Sequence, residues 1–209
     1  MSQFFTVHPQ NPQPRLIAQA AEIIRAGGVI AYPTDSCYAF GCHTGDKEAL
    51  ERLRRLRGID ERHHLTLMCR DLTQLGAYAR VNNASYRLLK ALTPGSYTFI
   101  LEATRELPRR ILHPRRKTIG LRVADHVVSQ ALLAQLGEPL LSATAILPGD
   151  DEPARDAQEF RDRLGSELDL VLDGGQCGTE PTTIVDLTGP QVVVIRQGKG
   201  SLAVLGIAE

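Results

Sequence analysis

A short apolar run, Val29-Ile30-Ala31-Tyr32, ends at Pro33 and passes directly into Thr34-Asp35-Ser36. Proline lacks the N–H that a sheet ladder needs, so a strand over 28–32 has to stop there, leaving two hydroxyls and a carboxylate in the loop beyond it. This is the pattern of a buried strand whose end opens on a site. Four later segments repeat it: Thr118–Arg122, Leu140–Thr144, Pro181–Val185 and Val192–Gly198 each set a hydroxyl or a guanidinium beside a β-rich apolar run. Hydroxyls and arginines gathered at strand ends suit an anionic, phosphate-bearing ligand.

Between these segments the sequence alternates helix and strand signals. Pro14 opens an apolar pattern through Ile17, Ala20 and Ile24 that closes on Gly27-Gly28, proline first and glycine just past the end. Asp46, Asp71 and Asn82 or Asn83 stand where helix caps belong, ahead of patterns reaching Leu56, Tyr78 and Ala91, with Gly58 closing the first. Further helices are expected over 127–136, ending at Gly137, and over 156–165. Strands are expected at 65–69, 97–101, 119–123, 139–142, 168–172, 182–187 and 191–196. The interleaving, without a repeat or a low-complexity linker, predicts one three-layer α/β domain over 1–209, with a core of about 14–200 and no second domain. The connection from 187 to 191 is too short for a crossover helix, so the sheet is expected to be mixed.

Composition adds mainly exclusions. No apolar run reaches the roughly 18 residues of a membrane span, and Met1-Ser2-Gln3-Phe4-Phe5 lacks the basic region of a secretory signal, so a cytoplasmic, membrane-free protein is expected. Cys37, Cys42, Cys69 and Cys177 form no C-x-x-C pair and read as reduced, packed thiols; Cys37, Cys42 and His43 match no common zinc spacing, so no metal is assigned. Twenty-four basic residues balance 24 acidic ones, yet the charge is segregated. The run Arg105, Arg109, Arg110, Arg115, Arg116 and Lys117 has only Glu106 to offset it and reads as an anion-facing surface. For Arg52, Arg54, Arg55, Arg57 and Arg62 a solvated helix face, with Glu48 and Glu51 a turn away, explains the charge as well as an anion site does. His63 and His64 read as surface residues of a charged loop.

Taken in order, several motifs resemble the YrdC/YciO family, on its YciO side, over about Pro14 to Gly200. They are the loop Pro33-Thr34-Asp35-Ser36-Cys37-Tyr38, the turn Thr93-Pro94-Gly95 before Tyr97-Thr98, the strand Arg122-Val123-Ala124 with Asp125-His126, the loop Ser142-Ala143-Thr144, the strand start Thr182-Thr183-Ile184, and Ile195-Arg196-Gln197-Gly198. The resemblance implies a twisted mixed sheet flanked by helices around a concave basic cavity. It implies synthesis of L-threonylcarbamoyl-AMP from L-threonine, bicarbonate and ATP with release of pyrophosphate, in the service of adenosine modification in tRNA. ATP is then a substrate whose phosphates carry Mg²⁺, and double-stranded RNA or tRNA is a further partner. By motif position Thr34, Arg122, Ser142 and Thr182 would hold the threonine, and Arg57, Thr118, Thr144 and Arg196 the nucleotide; Arg109, Arg110, Arg115, Arg116 and Lys117 would face RNA. No residue is assigned a covalent or proton-transfer role. The plain alternative for Arg122 and Arg196 is an ion pair with Asp125 or Asp186, and for Thr34 and Ser142 a turn hydroxyl bonded to backbone.

The chain also departs from the family pattern. A lysine-x-arginine pair is replaced by Arg57-Gly58-Ile59, a serine-x-asparagine loop by Ser142-Ala143-Thr144, and a strand histidine by Cys69. Ile59 is expected to make the acceptor side of the pocket more apolar. Three readings follow: a weak threonylcarbamoyl-AMP synthase, an RNA- or nucleotide-binding module without efficient catalysis, and a carbamoyl-adenylate-forming enzyme acting on another amino acid.

Overall fold

In the computed structural model, which describes residues 2–205, the helix boundaries follow the caps. Helix α1 (Pro14–Arg25) starts on its proline. Helix α2 (Lys47–Arg57) starts where the Asp46 carboxylate accepts from the Ala49 amide, and ends on Gly58, whose φ of 65° is the left-handed conformation glycine tolerates best. Asp71 and Asn82 cap α3 (Leu72–Tyr78) and α4 (Asn83–Leu92) in the same way, and Gly137 closes α5 (Val127–Leu136). Helix α6 (Ala157–Leu164) begins with a full capping box between Asp156 and Glu159.

Ten strands among the described residues form one sheet: β1 (Gln3–Thr6), β2 (Ile30–Tyr32), β3 (Ala39–His43), β4 (Thr66–Met68), β5 (Tyr97–Glu102), β6 (Thr118–Arg122), β7 (Leu140–Thr144), β8 (Leu170–Asp173), β9 (Thr183–Asp186) and β10 (Val193–Arg196). Their order is β1-β8-β2-β3-β7-β4-β6-β5-β9-β10. The sheet is mixed, with β9 and β10 antiparallel across their short connection and β4 parallel to β6. Strands β1 and β3 carry no clear sequence signal. β3 is buried almost throughout and alternates nothing, and β1 is an edge strand seated parallel on β8.

Alternation along the strands builds two apolar layers. Val29, Ala31, Leu67, Phe99, Leu121, Leu141 and Val171 point to one face, against α2, α3, α4 and α6. Ile30, Tyr32, Leu140, Leu170 and Leu172 point to the other, where Ile17, Ala20 and Ile24 of α1 pack with Val128, Leu132 and Leu136 of α5. This second helical layer covers the sheet from β1 to β3 and reaches Leu140 of β7 and Met68 of β4. Beyond them, toward β10, that face carries the cavity.

Candidate functional site

The uncovered part of the sheet is the floor of a cavity of about 260 Å³. Each strand contributes residues two apart, as the pleat requires: Thr66 and Met68, Thr98 and Ile100, Gly120 and Arg122, Ser142 and Thr144, and Thr182 and Ile184. The walls come from Cys37, Tyr38 and Ala39 on one side and Ile195 and Arg196 of β10 on the other, with Arg62, His63 and His64 at the mouth. Gly120 keeps the floor low, since a Cβ there would stand 3.0 Å from the Leu65 carbonyl and 3.2 Å from the Thr98 methyl.

At the inner end the Arg122 side chain is 7% exposed, and its Nη2 donates to the Asp35 carboxylate, to Ser36 Oγ at 3.0 Å and to Thr34 Oγ1 at 3.3 Å. Asp35 also accepts from Ser96 Oγ at 2.8 Å, and its backbone carbonyl accepts from Lys199 Nζ. The carboxylate partner of Arg122 is therefore Asp35, neither Asp125 nor Asp186. Among the described residues the Nε of Arg122 is buried without a partner. Beside it, Ser142 Oγ lies 2.8 Å from the phenol of fully buried Tyr32, whose pKa burial pushes up to about 12. Thr98 and Thr182 share a hydroxyl–hydroxyl bond of 2.8 Å.

At the outer end the pairing is different. Arg196 donates from Nε and Nη2 to the Thr182 carbonyl, at 3.3 and 2.9 Å, and not to Asp186. Among the described residues none of Arg57, Arg62 and Arg196 has a carboxylate within 4.0 Å. Burial, and then the neighbouring Arg196, pull the Arg57 guanidinium below its ordinary pKa, and its Nε is buried without a partner. Burial together with Arg57 and Arg196 also lowers His63, against the opposing pull of Asp60. His64 is occupied otherwise: Nε2 meets Thr118 Oγ1 at 3.2 Å and the ring stacks on His113 at 4.7 Å.

The structure thus gathers five of the sequence-derived residues, Arg122, Ser142, Thr144, Thr182 and Arg196, on one cavity surface. Thr34 stands behind it: its hydroxyl donates to the Cys37 carbonyl at 2.6 Å and reaches the cavity only through Arg122. Thr118 is buried outside the lining, under His64, and Arg57 flanks the mouth without lining it. Arg109, Arg110, Arg115, Arg116 and Lys117 are exposed on the connection from β5 to β6; Arg110 is tied to the Gly45 carbonyl, and Arg115 shares a separate hollow with Arg62 and His113.

One sequence expectation fails here. Ile59 does not make the pocket apolar; it packs against the core and lines a different hollow with Gly58, Asp60, Arg62 and His63. His63 is exposed and His64 half-buried in their loop, as the sequence suggests, and the loop also bends back over the cavity mouth. Local sequence gives no sign of that bend. Cys69, the histidine replacement, is fully buried in the core.

Comparison with known proteins agrees with this fold. The family model Sua5_yciO_yrdC, described as "Telomere recombination", matches residues 22–198. YciO of Escherichia coli K12 is 54% identical over 202 residues, covering 97% of this chain and 98% of its own. The crystal structure of E. coli YciO superposes with a TM-score of 0.95 over 98% of this chain and 99% of that one. A threonylcarbamoyl-AMP synthase of Halorhodospira halophila is 34% identical over 180 residues, 85% of this chain and 93% of its own. Sua5 of P. abyssi, crystallised with L-threonine, shares the fold at a TM-score of 0.87 and 24% identity, over 94% of this chain and 58% of that one. The match of the family model over most of the chain and the identity to full-length relatives lead to one conclusion: the chain belongs to the Sua5/YciO/YrdC family.

Proposed function

We propose that the cavity binds an amino acid and ATP side by side and forms a carbamoyl adenylate, with L-threonine and bicarbonate as the other substrates and pyrophosphate as the second product. The observation that carries this reading is the uneven charge of the two ends. At the inner end Arg122 is paired with Asp35 among hydroxyls, with the Lys199 ammonium close by on the Asp35 carbonyl, which suits the carboxylate and hydroxyl of an amino acid. Arg57, Arg62 and Arg196 make an outer end without carboxylate partners, which suits a polyphosphate. The relatives named as threonylcarbamoyl-AMP synthases support threonine and ATP as the pair.

The chemistry asks for positioning. Threonine's amine and bicarbonate give a carbamate with loss of water, the carbamate oxygen attacks the α-phosphorus, and pyrophosphate leaves in line. Arg122, Ser142 and Thr182 orient the amino acid, while Thr144 and Arg196 set the phosphates. Mg²⁺ would travel on the phosphates, the way it usually binds with nucleotide substrates. The adenylate would then supply the threonylcarbamoyl group for adenosine in tRNA.

The test is pyrophosphate release with threonine, bicarbonate and ATP, singly omitted and together. Release is expected only with all three, and Arg196→Ala is expected to cut it about ten- to hundred-fold, the worth of a charged hydrogen bond. No release above a protein-free control overturns the reading. Release with another amino acid but not threonine moves it to a different acceptor.

A second reading, binding of double-stranded RNA or tRNA, is favoured by one observation. Arg115 lines a hollow that shares Arg62 with the cavity mouth, and the exposed guanidiniums of Arg109 and Arg116 lie on the same connection. Salt-sensitive RNA binding that weakens when Arg109, Arg115 and Arg116 are replaced by serine supports it; unchanged affinity removes it.

A further inference from the structure

His63 is the one imidazole at the mouth whose ring has no fixed task among the described residues. His64 is bonded to Thr118 and stacked on His113. The ring of His63 lines the cavity with no hydrogen-bond partner, and only its backbone N–H is bonded, to the Asp60 carbonyl at 3.3 Å. The charged and titratable groups around it come from three elements: Arg57 from the end of α2; Asp60, Arg62 and His64 from its own loop; and Arg196 from β10. Three guanidiniums outnumber the single carboxylate of Asp60, and the Asp60 carboxylate is already engaged by the Arg62 amide at 2.9 Å.

We infer that His63 binds the incoming phosphates as an imidazolium, so that nucleotide binding draws a proton from solution. In the free cavity burial, and then the neighbouring Arg57 and Arg196, disfavour the imidazolium and hold the ring's pKa below its ordinary value. A polyphosphate lying among them reverses the local field, and the ring then gains both a proton and a charge-assisted hydrogen bond to a phosphate oxygen. The inference rests on the nucleotide-binding reading above and adds to it a residue and a pH dependence. Because the proton is bound only in the complex, affinity rises as pH falls, about ten-fold for each unit by which the phosphates raise the histidine's pKa.

The experiment is calorimetric titration of the full chain with ATP saturated with Mg²⁺, which keeps the terminal phosphate ionised, in two buffers of equal pH and different ionisation enthalpy. Near pH 7 the wild-type chain is expected to take up a substantial fraction of a proton per ATP bound. His63→Gln, which keeps a hydrogen-bond donor but cannot protonate, is expected to abolish the uptake. It should weaken binding about ten-fold at pH 6 and little at pH 8. ATP binding without proton uptake overturns this inference and leaves the nucleotide reading standing. Uptake that survives in His63→Gln also overturns it, since the proton then goes elsewhere. No binding of Mg²⁺-ATP at any pH overturns both.

Discussion

The Tyr32 phenol lies 2.8 Å from the Ser142 hydroxyl, and the two side chains are 0% and 2% exposed. Among the described residues Tyr32 has no other partner, so donating to Ser142 Oγ is the arrangement that satisfies its proton and leaves Ser142 free to donate to Phe40. The Ser142 proton is left for the Phe40 carbonyl, 3.2 Å away, or for a ligand. Tyr32 therefore fixes both the place and the polarity of the serine from behind the cavity wall. Tyr32→Phe is expected to cost about 1 kcal/mol of stability, read as a lower denaturation midpoint at unchanged slope. An unmoved midpoint would show that this bond carries no weight.

Arg122 and Asp35 are a buried pair, 7% and 10% exposed. Asp35→Ala leaves the guanidinium without a carboxylate and is expected to destabilise the fold by about 3–5 kcal/mol. Arg122→Met added to Asp35→Ala removes the stranded charge and should recover much of that loss. A double variant no more stable than Asp35→Ala alone would contradict the pairing.

Acid should weaken the fold through its histidines. Burial lowers the pKa values of His63, His64 and His126 from the ordinary 6.5, with added repulsion from Arg57 on the first and His113 on the second, and on the third against the pull of Asp35 with some help from Arg122. The unfolded chain then holds more protons than the folded one between the lowered values and 6.5. Stability is complete above about pH 6.5 and falls as pH drops through the folded values. Thermal unfolding from pH 8 to 5 should show this slope, and His64→Gln should flatten it. A melting temperature independent of pH across that range would refute the linkage.

Gly198 lies against the start of β9. A Cβ on it would meet the Pro181 carbonyl at 2.2 Å and Thr182 backbone atoms at 2.8 Å. Gly198→Ala is expected to cost about 1–3 kcal/mol and to disturb the Thr182 carbonyl that holds Arg196. A full-length variant with wild-type stability and ligand binding would show that this close approach can relax.

These contacts mark what the sequence could and could not disclose. The helices were legible because Asp46, Asp71, Asn82 and Gly137 act locally, through their own or neighbouring amides and carbonyls. The motif Arg196-Gln197-Gly198 was legible as a pattern, but its reason is the approach of Gly198 to Pro181, a contact set by the fold. β3 was missed because a strand buried on both faces shows no alternation. Gly41 within it looks like a break but is required, since a Cβ there would lie 2.7 Å from Leu140 and 2.9 Å from Tyr32. Ile59 was misplaced because motif spacing gives order along the chain and not the direction in which a side chain leaves it. The place of His63 at the cavity mouth was not legible for the same reason.

The strand order divides the cavity mechanically. Arg122 stands on β6, clamped between β4 and β5 in the middle of the sheet, whereas Arg196 stands on β10, which has β9 as its single neighbour and leaves Val193 and Ile195 about half exposed. Peripheral strands open locally at lower cost than central ones. The recess therefore has an anvil and a spring: Arg122 is held in register by strands on both sides, while Arg196 rides on a rim free to make small movements.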